Sequence, residues 1–219
     1  MTIQTLIFDL DGTLVDSSEG VVDATNYALK QMGERERSPQ EIKPYIGFPL
    51  QQMFREFASA PVDQLYRHFQ VRAAETVVAS ARALEGVNDV LEQLHQRGYT
   101  MSIVTTKTRS HLDGIVAKLR WQRYFTHNIS GSDVASPKPN PEAFMLALDR
   151  LGCTADSALA IGDTINDILA ARAIKMKVAS VPSPYGGHEE VAALKPDYEL
   201  THLSDLLPLL SYQRQGKTA

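Results

Sequence analysis

Apolar and polar positions along this chain follow two periods. Short, nearly continuous apolar runs occupy Ile3–Phe8, Thr100–Val104, Ala158–Ile161 and Lys177–Val181, with a weaker one at Asn128–Ser130. Runs of that length bounded by turn residues predict strands buried on both faces. Between them the period lengthens. Val87, Val90, Leu91 and Leu94 stand at i, i+3, i+4 and i+7, and Gly98 follows where such a helix should stop. Asn140-Pro141 supplies an N-cap and a first-turn proline for a helix through about Arg150. Strands alternating with helices predict parallel pairing through right-handed crossovers, and so a doubly wound α/β sheet.

One stretch breaks the alternation. Residues 17–82 contain no strand-like run, only helical segments. Ser38-Pro39-Gln40-Glu41 reads as a capping box, Pro61 opens a further helix, and Gln64–Ala81 is rich in helix formers. The stretch is too long for one crossover and too organised for a loop. It predicts an α-helical module over 17–82, inserted into a core formed by 1–16 and 83–219.

Composition narrows the class. With 43% hydrophobic and 22% charged residues, the 219-residue chain is that of an ordinary globule able to bury a full core. A net charge of −4 argues against a nucleic-acid surface. The insert holds eight basic and eight acidic residues, so the negative excess lies in the core. The single cysteine, Cys153, excludes an internal disulfide and fits a reducing compartment, as a packed small residue rather than a nucleophile. The N-terminus lacks the basic residues of a signal peptide, and no apolar run nears the ~20 residues that span a bilayer. Residues 213–219 read as a polar tail. The expectation is a cytoplasmic protein, monomeric or weakly dimeric.

Candidate chemistry gathers at the carboxyl ends of the predicted strands, where open α/β sheets bind ligands. Asp9-Leu10-Asp11-Gly12-Thr13 follows the first run. Residues i and i+2 of a strand share a face roughly 6.6 Å apart, so Asp9 and Asp11 repel unless a cation joins them. Gly12 permits a sharp turn and a close backbone approach to a ligand. Thr105-Thr106-Lys107 follows the second run, where Thr105 offers a hydroxyl and a backbone donor to an anion. Lys107 reads equally as a second cation or a solvated side chain. Lys138 lies between Pro137 and Pro139, which limits the entropy lost in fixing its ammonium group. Asp163 and Asp167, four apart at a loop-to-helix junction, share a face. Four carboxylates at one sheet edge call for a lysine and a divalent ion with oxygen ligands, for which Mg²⁺ is suited. None of the six histidines has metal-ligand spacing.

These four segments, in this order and with this insert, resemble the haloacid-dehalogenase superfamily of phosphohydrolases, and within it the phosphoglycolate-phosphatase-like group with a helical cap. The resemblance rests on Asp9 to Ser17, on Lys138-Pro139-Asn140-Pro141 and on Gly162 to Asp167, and spans nearly the whole chain. It implies a Mg²⁺-dependent phosphatase acting on a small phosphorylated substrate, with no nucleic-acid or membrane partner. Asp9 is implied as the nucleophile that becomes an aspartyl-phosphate, and Asp11 as general acid and then base. Mg²⁺ is implied on Asp9, the Asp11 main-chain oxygen and Asp163, with Asp167 in support. Phosphoryl oxygens are implied against Gly12, Thr105, Thr106 and Lys138. The cap should close over the substrate, with Ile46–Leu50 reaching towards the nucleophile, Gly20 helping the hinge and Pro182–His188 bordering the site. Arg55 and Arg72 either bind a substrate carboxylate or form a solvated face. Phosphoglycolate is the default substrate, with pyrophosphate, sugar phosphates and nucleotides as alternatives. A phosphomutase of the same superfamily is the nearest rival, although related mutases usually carry an acidic residue in place of Gly162. A non-catalytic phosphate-binding protein is the reading from a different class.

Overall fold

The first apolar run forms β1 (Thr5–Phe8), every residue of which is buried. The structure, a computed structural model, describes residues 2–215. After β1 come a glycine turn and the two-residue strand β2 (Val15–Asp16). Helices α1 (Ser18–Gln31), α2 (Pro39–Ile42), α3 (Leu50–Phe57) and α4 (Val62–Ser80) follow, and the chain returns through β3 (Arg82–Ala83). Strands and helices then alternate through α5 (Val87–Gln96), β4 (Thr100–Ile103), α6 (Arg109–Lys118), α7 (Glu142–Leu151) and β5 (Ala158–Gly162). The last elements are α8 (Ile165–Ala173), β6 (Lys177–Ser180), α9 (His188–Ala193), β7 (Tyr198–Glu199) and α10 (Leu206–Gln215).

The main sheet is parallel, in the order β4-β1-β5-β6-β7. Its two faces follow from the period of two along each strand. Leu6 and Phe8 of β1 join Leu159 and Ile161 of β5 in one apolar cluster, with residues of α5 and α6. Ile7 joins Ala158, Ala160 and Val178 in the other, with Phe144 of α7 and Ile168 of α8. Leu6, Ile7 and Phe8 are each 0% exposed, and burial of each contributes about 1.5–3 kcal/mol. Because Phe8 is level with both Ile103 and Ile161, the carboxyl ends of β4, β1 and β5 lie side by side.

Helices α1 and α4 pack together in the insert. Gly20 lies inside α1, where a Cβ would stand 2.5 Å from the Thr76 carbonyl oxygen. The glycine there lets α1 and α4 approach closely. The capping box at Ser38 and Glu41 is present. Arg72 pairs with Asp23 and Glu75 and Arg55 is exposed, which favours the solvated-face reading for both. β2 and β3 pair antiparallel, Asp16 opposite Arg82, so the chain enters and leaves the insert at adjacent points.

Asn128–Ser130 is not a strand. Only a bridge between Val104 and Ile129 forms there. Ile129 donates its amide to the Ile103 carbonyl at 2.7 Å and accepts the Thr105 amide at 3.0 Å. On either side a side chain takes over, Asn128 Oδ1 accepting the Ile103 amide at 2.9 Å and Ser130 Oγ the Ser132 amide, so the pairing stops after one residue. Helix α7 starts one residue late, with Asn140 Oδ1 accepting the Glu142 amide at 3.0 Å. The polar tail expected from 213 is helical to Gln215, and its last residues lie outside those described. Among the described residues, no helix is long and apolar enough to cross a membrane.

Candidate active site

Asp9 begins where β1 ends, its amide donating to the Ile161 carbonyl at 2.8 Å and so holding it level with β5. The turn that follows needs Gly12 at φ +84°. A Cβ on Gly12 would lie 2.1 Å from Asp163 Oδ2, so the glycine leaves room directly beside that carboxylate. Gly162 at the end of β5 does the same for Asp167, whose Cγ a Cβ would meet at 2.4 Å. An acidic side chain at position 162 has no space here.

Carboxylate oxygens of Asp9, Asp163 and Asp167 all lie within 4.8 Å of one another, and all three residues are buried. One cation faces two of them. Lys138, 2% exposed, donates to Asp9 Oδ1 at 2.6 Å, Asp167 Oδ1 at 2.5 Å and the Val104 carbonyl at 3.0 Å. Those three contacts use all three ammonium donors. Burial alone would lower the Lys138 ammonium, but Asp167 and Asp9 outweigh it and hold it above the ordinary lysine range. Burial, together with Asp167 and Asp11, pushes the Asp9 carboxyl up to about 7 despite Lys138. Burial also raises Asp163 well above the carboxylate range, with the charges of Asp9 and Asp167 adding to it. Asp163 Oδ1 accepts the Thr13 hydroxyl at 2.8 Å, while its buried Oδ2 has no hydrogen-bond partner. One lysine among three carboxylates, plus an orphan oxygen beside a glycine, suits a hard divalent cation. The residues present fit Mg²⁺.

The Asp11 side chain stands apart from that trio. Its Oδ1 accepts the Ser17 hydroxyl at 2.5 Å and pairs with Lys107 Nζ at 3.2 Å. The Lys107 side chain is only 10% exposed, so it is paired with Asp11 rather than solvated. Thr105 is buried, and its hydroxyl oxygen accepts the Lys107 amide at 3.2 Å. Its own amide donates to the Ile129 carbonyl at 3.0 Å, so the expected backbone donor of Thr105 is already in use. Thr106 follows in the same loop, its carbonyl too near Gly131 to admit a Cβ there.

A cavity of about 270 Å³ opens beside Asp11, with Lys107 and His111 on the core side and Tyr45, Phe48, Tyr66 and Gln70 on the insert side. Ile46–Leu50 borders it on the insert side, and Ser183, Tyr185, Gly186 and Gly187 border a second opening next to Asp163. Sequence reasoning assigned no site role to Thr13, Ser17, Thr164 or Tyr185. Thr164 was findable, since Thr164-Ile165-Asn166-Asp167 is a capping-box pattern, and its amide and hydroxyl both donate to Asp167 Oδ2.

Residues 6–181 match the family described as haloacid dehalogenase-like hydrolase. Pyrophosphatase PpaX of Bacillus velezensis is 32% identical over 208 residues, 94% of this chain and 95% of its own. Its namesake in Bacillus cereus is 31% identical over 96% of this chain and 98% of its own. Among solved structures, a predicted phosphoglycolate phosphatase from Haemophilus somnus superposes with a TM-score of 0.85 at 26% identity, covering 95% of this chain and 98% of its own. A haloacid dehalogenase-like family hydrolase from Streptococcus pneumoniae also gives 0.85 at 26% identity, over 94% and 98%.

Proposed function

The chain belongs to the haloacid dehalogenase-like hydrolase family, and from that premise we propose that it is a Mg²⁺-dependent phosphatase using Asp9 as nucleophile. The observation that carries this reading is the buried trio Asp9, Asp163 and Asp167 with the unpartnered Asp163 Oδ2. Mg²⁺ would be held by the Asp9 and Asp163 carboxylates and the Asp11 main-chain oxygen, with Asp167 in support. When bound it would supply charge neutralisation between these carboxylates and a phosphoryl group.

An Asp9 oxygen attacks phosphorus and the bond to the leaving oxygen breaks, giving an aspartyl-phosphate. Asp11, facing the cavity, gives its proton to the leaving oxygen. It then takes a proton from the water that attacks the phosphoryl group, which releases phosphate and restores Asp9. Lys138 fixes Asp9 for that attack, and the Thr105 hydroxyl, Thr106 and the turn at Gly12 surround the phosphoryl oxygens. Residues 17–82 act as a cap over a core of 1–16 and 83–219, closing the cavity on the leaving group and excluding water.

The substrate is a small phosphate monoester of the phosphoglycolate type, met in the cytoplasm by a monomer or weak dimer. A second reading, inorganic pyrophosphatase, is favoured by the name of the Bacillus relatives, which match nearly end to end. The crowding between position 162 and Asp167 counts against a mutase. Phosphate release from phosphoglycolate, sugar phosphates, nucleotides and pyrophosphate, with Mg²⁺ or with EDTA, tests the proposal. Wild-type protein should release phosphate only with Mg²⁺, and Asp9→Asn should not while keeping its fold. Metal-independent release, or an active Asp9→Asn, would overturn it.

A further inference from the structure

Resting on that phosphatase reading, we infer that Tyr185 is a positioning residue whose phenol anchors Asp11 to the core through Ser17. Tyr185 is buried in the loop after β6. Its hydroxyl donates to Asp16 Oδ1 at 3.0 Å and accepts the Ser17 amide at 3.3 Å. Asp16 Oδ1 also accepts the amide of Ser18, the first residue of α1, at 2.8 Å. Ser17 then passes its hydroxyl to Asp11 Oδ1 at 2.5 Å. One phenol therefore holds both residues at the entry to the insert, and one of those holds the acid–base carboxylate. Burial and the charges of Asp11 and Asp16 push the phenol well above its ordinary range, so it stays a donor.

The location explains the need. Asp11 leaves the sheet on a glycine turn, and Ser17 is the residue immediately before α1. If the insert moves relative to the core, residues 16–18 are where the motion is absorbed, and Ser17 would carry Asp11 with it. A displacement of about 1 Å at a proton-transfer group can lower a rate roughly 100-fold. Tyr185, fixed on the core side of this joint, keeps Ser17 with the core while α1 swings.

Tyr185→Phe keeps the ring and deletes only the hydroxyl. It should lower kcat about tenfold, the value of one well-placed hydrogen bond, with KM within about twofold. Amides 15–18 should exchange faster with deuterium while those of β1 and β5 do not. Ser17→Ala should lower kcat comparably, and the double variant should fall no more than about twofold below Ser17→Ala, because both act along one path. Asp16→Asn, which retains an acceptor for the phenol, should stay close to wild type. The inference is overturned if Tyr185→Phe keeps kcat within about twofold of wild type. It also falls if the two single effects multiply in the double variant, or if exchange at 15–18 is unchanged. Should Tyr185→Phe fail to fold, deuterium exchange of the wild-type protein carries the test: the Ser17 amide, held by the phenol at 3.3 Å, should be as protected as the amides of β1, and free exchange there overturns the inference. A wild-type protein inactive on every phosphate compound sinks the phosphatase reading, and exchange at 15–18 then decides the tether by itself.

Discussion

Replacing Lys138 by Met removes the one cation, among the described residues, that contacts the buried trio. At an effective dielectric near 20, each contact at about 2.6 Å carries a gross attraction of roughly 6 kcal/mol, and burying the ammonium takes back several kcal/mol. Breaking a buried pair of this kind typically costs about 3–5 kcal/mol, because the abandoned carboxylates are left dry and must either stay charged without a partner or take up protons. For a chain of this length that corresponds to a drop in Tm of roughly 6–20 °C. The assay is thermal unfolding near neutral pH in EDTA, so that no metal offsets the loss. A second substitution decides the cause. In the Lys138→Met background, Asp167→Asn removes one of the two stranded charges and should restore at least half of the loss. Lys138→Arg should not serve as a substitute, since three acceptors converge on one nitrogen and a guanidinium presents a planar fork. A Tm change under about 3 °C, or an Asp167→Asn that lowers the Tm further, would refute the electrostatic account.

Other outcomes follow from the same geometry. Burial moves Asp9 from 3.8 to about 7. A carboxyl raised on folding favours the native state below its unfolded value, and that advantage is lost as pH climbs through about 7, by at most ~4 kcal/mol. Mg²⁺ should therefore raise Tm little near pH 5 and much more near pH 8, and an equal shift in paired thermal scans contradicts this. Gly12→Ala meets Asp163 Oδ2 at 2.1 Å and must hold φ +84°, so Mg²⁺ titration should show weakened binding alongside about 1 kcal/mol or more of lost stability. Thr13→Val deprives Asp163 of its hydroxyl donor and should weaken Mg²⁺ about tenfold or more by calorimetry, and unchanged affinity would count against a ligand role for Asp163. Gly20→Val collides with the Thr76 carbonyl, and urea unfolding should show about 1–3 kcal/mol of destabilisation.

Much of this was legible before any coordinates. The runs ending at Phe8, Val104, Ile161 and Val181 are strands to within a residue or two, because sheets buried on both faces favour nearly continuous apolar stretches. The two-residue strands β2, β3 and β7 are too short to show a period, and were missed. Asn128–Ser130 pairs only through Ile129, because the polar side chains on either side take over backbone partners. At the site, residue types and strand-end positions were readable, so Asp9, Asp163, Lys138 and Asp167 meet as expected. What the linear pattern withheld were partners set by tertiary packing alone. Thr13 finds Asp163 across 150 positions and Tyr185 finds Asp16 across 169. Neither hydroxyl has a periodicity to betray it.

The pairing of Asp16 with Arg82 bears on how freely the inserted segment can be exchanged. Everything from Ser17 to Ala81 departs from and rejoins the sheet at one stitched doorway, so its length scarcely affects the entropy of closing the chain there. A segment of different length or build can therefore span that doorway at little added cost in chain entropy. Chimeras that exchange only the residues between Ser18 and Ala81, keeping Ser17 and the Asp16–Arg82 pair, should accordingly fold with a thermal stability close to that of the parent.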